Sequence, residues 1–234
     1  MHTQITNDAD VRNSIDPEAE QILDTAIILA HKCSWEEVRL YMVANELGLK
    51  IQDIHRHYRQ KDDLVEAWYD RADRAMLADA GLDDYAQLTP RACLHRSIMC
   101  WLTSMQEHRV ISRQMLAYKF EFGHVHLQVL GLLRISRTVQ WMLESAHRNT
   151  VHVRRVVEEV TLTSIYLATF ARWMFDSSPN AGATSRYLNR LLSRAEAMML
   201  LATSSVGHSS QPESVARNEQ FSATQGNFEG KGLH

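Results

Sequence analysis

Between Lys50 and Lys61 the chain sets four cations, Lys50, Arg56, Arg59 and Lys61, against one carboxylate, Asp53, a local positive excess in a protein whose net charge is −3. Cations gathered against the overall sign are what a local phosphate-binding surface requires. The residues just before them supply a scaffold: Ala44, small enough for two helices to approach, Gly48 for a turn, and Leu49 with Ile54 as apolar anchors. Two helices joined by a short glycine turn form the pattern in which the second helix, here about Lys50 to His57, lies in a nucleic-acid groove.

Other residues capable of chemistry have structural explanations beside the functional ones. Gly123-His124-Val125-His126 places two histidines on different sides of a helix, so a metal would need ligands from elsewhere; a solvated or capping role is the simpler expectation. Arg154-Arg155 and Glu158-Glu159 stand four apart, as exposed ion pairs do. Asp176-Ser177-Ser178-Pro179 reads as a turn whose side chains cap the following helix. Arg134 and Arg137 share a helix face near Gln140 and Trp141, where they meet either an acidic ligand headgroup or a carboxylate such as Glu144 or Glu159. Ten methionines, Met99, Met105, Met115, Met142 and Met174 among them, suit ordinary core filling and a greasy ligand equally. No phosphate-binding loop, G-x-S-x-G, H-E-x-x-H or dinucleotide fingerprint occurs, so no enzymatic chemistry, cofactor or metal is expected.

The elements that position these groups are all helices. Apolar residues recur at three- and four-residue spacing with almost no alternation of β-branched residues, which predicts an all-α fold. Asp16-Pro17 opens the first helix, with Ile22, Leu23, Ala26, Ile27 and Ala30 on its inner stripe. Ser34-Trp35-Glu36-Glu37 has the form of a capping box and predicts a second helix from there to Gly48. A short third helix follows, and then a fourth from Lys61 to about Ala80 carrying Leu64, Val65, Trp68, Ala72 and Met76. Thr89-Pro90 opens a larger group, about 90–107, 110–122, 125–148, 152–175 and 183–202. Residues 1–15 and 204–234 lack the apolar content to offset the entropy of ordering and are expected to be disordered. The expected division is a helix-turn-helix domain at 16–60, a connecting helix at 61–82 and a bundle at 83–203.

From Ala44 to Leu64 the chain resembles the DNA-binding domain of the TetR/AcrR family of repressors, whose run is in outline A-x-x-x-G-V-S-x-x-T-L-Y-x-H-F-x-S-K-x-x-L. Gly48, the aliphatic positions, His57, the aromatic Tyr58, Lys61 and Leu64 fall in register without a gap. The resemblance implies a TetR-like fold in which Lys50, Gln52, Asp53 and Arg56 face the major groove while His57 and Lys61 hold phosphates. Lys50 and Asp53 stand where the family commonly has serine or threonine, and His55 where it has tyrosine. An acidic residue on a DNA-facing helix costs affinity unless it accepts from a cytosine amino group.

A second resemblance lies further on. Trp173 to Pro179, Thr184, Tyr187-Leu188 and Arg190 are similar to the closing motif of the lipid-binding accessory proteins of ubiquinone (coenzyme Q) biosynthesis, which share the TetR fold and are not known for DNA binding. The two resemblances together imply an internal apolar cavity, with Met115, Tyr118, Arg134, Arg137, Trp141 and Trp173 as its candidate ligand-binding residues. They imply a homodimer joined through the last two long helices by Val156, Val160, Thr163, Leu167, Phe170, Leu188, Leu191, Leu192, Ala195 and Met199. The partners so implied are operator DNA and an apolar small molecule or isoprenoid lipid; a lipid-binding protein that never touches DNA is the alternative.

The 234-residue composition, 45% hydrophobic and 23% charged, excludes collagen-like, rod-like and wholly disordered chains. Three cysteines without a C-x-x-C pair, no apolar leader and no membrane-spanning stretch together predict a cytoplasmic protein.

Overall fold

The computed structural model describes residues 16–119, 137–144 and 152–208, with side chains for 16–119, 137–144 and 159–201. Among them every regular element is helical, as expected. Asp16 opens α1 (Pro17–Cys33) by accepting from Glu18 N–H at 3.1 Å, and the helix buries Ile22, Leu23, Ala26, Ile27 and Ala30.

The next helix does not begin at the expected capping box. Ser34 adopts φ 90° and closes α1 by donating to Ala30 O at 3.0 Å; residues 35–37 form a turn, and α2 (Leu40–Leu47) follows. The turn's backbone finds partners elsewhere in the fold. Trp35 N–H donates to Gln114 Oε1 at 2.7 Å, and the Lys61 ammonium donates to the carbonyls of Trp35 and Glu36 at 2.6 and 2.9 Å. Arg39 binds the carbonyls of Glu36 and Val38. Groups satisfied in this way have no call on a helix ladder.

Gly48 ends α2 at φ 66°, and Leu49 N–H returns to Ala44 O at 2.9 Å. A side chain at Gly48 would meet nothing within 4 Å, so it is the left-handed backbone that requires glycine there. Then come α3 (Ile51–His57) and α4 (Lys61–Ala80). Thr89 caps α5 (Pro90–Thr103), which stops short of residue 107; at its end Thr103 and Ser104 donate their hydroxyls to Met99 O and Trp101 O, both at 2.8 Å. A short 3₁₀ turn leads into α6 (Arg109–Lys119), followed by α7 (residues 137–144), α8 (His152–Trp173) and α9 (Gly182–His208).

By internal contacts the chain divides into Met1–Leu192 and Ser193–His234. Within the second, α9 reaches His208, into the tail expected to be disordered, and Met198, Leu200 and Leu201 are exposed. Residues 1–15 and 209–234, Arg134, the histidines 124 and 126 and most of the helix expected at 125–148 lie outside the described residues.

The core of the first unit is built on α4, which turns Leu64, Val65, Trp68, Ala72 and Met76 inward. Toward α1, Arg71 pairs with Glu20 and Asp24, and Arg74 with Glu20. Toward α5, Trp101 donates to Asp73 at 2.7 Å and stacks on Tyr69 at 5.9 Å. Tyr166 and Phe170 of α8 meet the same indole edge-on at 5.4 and 5.6 Å. Quadrupole-matched ring contacts of this kind contribute about 0.5–1.5 kcal/mol each beyond burial.

Toward α6, Trp68 donates to Ser112 Oγ at 3.0 Å and meets His108, whose Nδ1 lies 2.8 Å from His31 Nε2 on α1. That bond needs a lone pair, so one ring must be neutral. Burial first, then the neighbouring His31, with Arg71 in the same sense, hold His108 below the usual imidazole range, while Glu107 and Asp24 oppose them. A depressed imidazole pKa gives a stabilisation that is complete above the unfolded value and is lost as pH falls through the folded one. Between pH 7.5 and 5.5 the melting temperature is therefore expected to drop more for the wild type than for His108→Asn; equal drops would show that the pair does not titrate.

Candidate nucleic-acid interface

Two inward side chains set the orientation of α3. Ile54 is fully buried, and Tyr58 packs beneath the helix end with its hydroxyl donating to Ala19 O at 3.0 Å. Burial, with the Glu20 charge next, pushes that phenol up to about 12, so it stays protonated and keeps donating. With 54 and 58 inside, the helical period turns Gln52 and Arg56 outward with His55 at their flank, while Ile51 stands at the open first position of the helix. All four are exposed, as are Lys50 before them and Arg59 after them. Tyr41, in the first turn of α2, is 60% exposed.

The six residues expected to bind DNA separate into two groups. Lys50, Gln52 and Arg56 lie on the exposed face. Asp53, His57 and Lys61 are partly buried and have partners within the protein. Asp53 Oδ2 accepts from Lys50 N–H at 3.0 Å, and its Oδ1 pairs with Arg56. His57 sets Nδ1 at 3.0 Å from Asp16 Oδ2 and Nε2 at 3.3 Å from Glu18 Oε2, so the ring is held at the start of α1.

Lys61, expected to hold a phosphate, has its ammonium on the Trp35 and Glu36 carbonyls, between the Trp35 ring at 5.2 Å and the Tyr118 ring at 4.8 Å. One lysine thus links the turn before α2, the first residue of α4 and a ring of α6. Sequence reasoning passed over Tyr41, Ile51 and His55 as members of the outer face. The spacing carried part of the signal, since Gln52 and Arg56 lie one turn apart opposite Ile54 with His55 beside them, whereas Ile51, three residues before Ile54, is exposed at the first position of the helix.

The candidate ligand residues do not converge. Met115 and Trp173 are fully buried, the indole donating to Gln106 Oε1 at 2.6 Å. Tyr118 faces Lys61. Arg137 points outward to Asp70 at 2.9 Å, and Trp141 is 46% exposed, because Thr138, Val139 and Met142 occupy the buried side of α7. Arg134 is outside the described residues.

The Asp176 turn serves the fold. Its carboxylate accepts from Ser178 N–H and Thr184 N–H at 2.8 Å and from the Thr184 hydroxyl at 2.6 Å. Although burial alone would raise its pKa, these hydrogen bonds hold the carboxyl far below the usual range. Beside it an open cleft of about 570 Å³ lies between Arg172, Phe175 and Tyr187.

The chain is similar to the TetR transcriptional regulator from Nitrosomonas europaea ATCC 19718, with 42% identity and a TM-score of 0.71 over 77% of this chain and 99% of that one. A TetR transcriptional regulator from Rhodococcus sp. RHA1 has the same fold, with 17% identity and a TM-score of 0.54 over 75% of this chain and 95% of that one. No protein-family model matches the chain, and no curated protein matches it in sequence. Identity of 42% along nearly the whole Nitrosomonas protein goes beyond a common helical scaffold: the chain belongs to the TetR family of transcriptional regulators.

Proposed function

We propose that this regulator binds a pseudo-palindromic operator as a homodimer in the cytoplasm, through the outward face of α3, and that an apolar ligand or isoprenoid lipid controls the binding. The observation that carries the reading is that Gln52 and Arg56 lie one turn apart on the exposed side of a helix whose other side is anchored by Ile54 and Tyr58, with Lys50 exposed at its start. Cationic and amide side chains on such a face suit bidentate contacts to purine edges, and exposed Ile51 suits a thymine methyl. Arg59, exposed just beyond the helix, suits a phosphate. The Asp176 turn, part of the likeness to the ubiquinone accessory proteins, is accounted for by its own hydrogen bonds and adds no support to lipid binding.

The proposed dimer face lies on α8. The residues expected there fall on two sides of the helix: Phe170 is 7% exposed and belongs to the aromatic core, whereas Val160 is 61% and Leu167 40% exposed. Val160, Ser164, Leu167 and Ala171 run down one exposed side at helical spacing, and Phe175 is exposed in the turn that follows the helix. Small and apolar residues in that order suit close packing across a two-fold axis, which would set two α3 helices one DNA turn apart. Leu188 and Leu192 of α9 face inward and contribute nothing to such a surface.

Selection of genomic fragments by the purified protein at about 0.1 M salt, where a specific site still outcompetes random DNA, tests the reading. A recurrent palindromic site is expected, released by an added apolar ligand; no enrichment above background would defeat it. Lys50→Ala and Gln52→Ala should each cost about 1–3 kcal/mol at particular base pairs and leave the fold intact.

Sedimentation should show a particle of twice 26.9 kDa for the wild type and one of 26.9 kDa for Leu167→Glu. A wild-type monomer at micromolar concentration would overturn the dimer.

A further inference from the structure

Asp53 is an anomaly on a face turned toward a polyanion. Its charge repels phosphate, and serine or threonine would serve at the third position of a helix without that cost. The structure shows where both oxygens go. Oδ2 accepts from Lys50 N–H at 3.0 Å, satisfying a donor at the helix start that the lysine side chain, having no acceptor, cannot serve. Oδ1 holds the guanidinium of Arg56 one turn along. The Asp53 side chain is 20% exposed and that of Arg56 68%, so the carboxylate sits at the base and the guanidinium projects above it.

We propose that Asp53 is the residue that determines base specificity on α3, acting through Arg56 as a buttress that presents the guanidinium to guanine. The inference rests on the operator-binding reading above. A guanidinium has five N–H donors, and one taken by Asp53 leaves a pair of parallel donors for guanine O6 and N7. An unheld arginine samples many rotamers and reaches phosphates as readily as bases, so it adds affinity without preference. Held by Asp53, it is already directed along the face, and the same carboxylate penalises any pose in which the helix slides toward a phosphate. Asp53 is therefore a positioning residue. Each of its oxygens already has a partner within the protein, and the guanidinium projects beyond the carboxylate toward the groove.

The experiment measures base preference at each operator position, with affinity for random DNA measured alongside, for wild type, Asp53→Asn, Asp53→Ser, Arg56→Ala and the double variant Asp53→Asn with Arg56→Ala. Circular dichroism confirms that each is folded, and Asp53→Ser, which still offers an oxygen to the helix start, stands in if Asp53→Asn is not. The wild type is expected to prefer guanine at one position per half-site. Asp53→Asn and Asp53→Ser should lower that preference at least fivefold while tightening binding to random DNA. Arg56→Ala should lose the same preference, and the double variant should lose no more than Arg56→Ala alone. A merely structural role for Asp53 would weaken binding at every position alike, and that result would overturn the proposal. So would a guanine preference that survives in either Asp53 variant, or one indifferent to Arg56; both leave operator binding intact. Failure of the wild type to select any DNA would remove the operator reading and this proposal together.

Discussion

The Lys61 ammonium is the contact on which the arrangement of the amino-terminal helices depends. It donates to two successive carbonyls in the turn before α2 and sits between an indole of that turn and a phenol of α6. Local donors reach those carbonyls only by the 3.3 Å bond from Val38 N–H to Trp35 O and by the Arg39 guanidinium on Glu36 O, since Ser34 at φ 90° ends α1 and the ladder of α2 does not start until Leu40. Hydrogen bonds from a charged donor are worth about 1.5–3 kcal/mol, and each cation–π contact about 0.5–2 kcal/mol, against a lysine rotamer entropy of about 2 kcal/mol. The balance favours the clamp. It spans 26 residues, from Trp35 to Lys61, and so fixes the first and last parts of the helix-turn-helix segment against each other.

The outer face of α3 follows from that closure. With His57 committed to the carboxylates at the start of α1, Asp53 to the helix start and Arg56, and Lys61 to the turn, what remains outward is Lys50, Ile51, Gln52, His55 and Arg56. The half-buried polar groups give the helix its pose, and the exposed ones are left for a partner. α6 reaches the same turn a second time, because Gln114 accepts from Trp35 N–H at 2.7 Å. The segment that carries α3 is thereby tied to α6 at two points, and α1 meets the 3₁₀ turn before α6 through His31 and His108.

Legibility in the sequence followed the range of the interaction. Asp16-Pro17, Gly48, the start of α4 at Lys61 and Thr89-Pro90 were readable because cap, turn and helix start are settled within a few residues. Ser34 to Glu37 satisfied the same local rule and was misread, since the groups that decide its backbone are Lys61 and Gln114, far along the chain. The pattern from Ala44 to Leu64 located the site, yet residue type alone could not separate the cations facing out from the one turned in. On α8 the sequence grouped Val160, Leu167 and Phe170 in one dimer face, and only the packed structure showed that Phe170 meets Trp101 while Leu167 is exposed. Trp141 and Arg137 were assigned to a ligand cavity that the family resemblances implied; on α7 they fall on the outer side.

The central claim is that Lys61 shapes the DNA-facing surface from within while the exposed residues of α3 make the contacts. The salt dependence of operator affinity in Lys61→Met tests it directly, because each phosphate contact contributes about 0.9 to the slope of log K against log salt on duplex DNA. The account predicts a protein that melts earlier and binds more weakly with the wild-type slope. A slope shallower by about one, with thermal stability unchanged, would contradict it and make Lys61 a phosphate ligand.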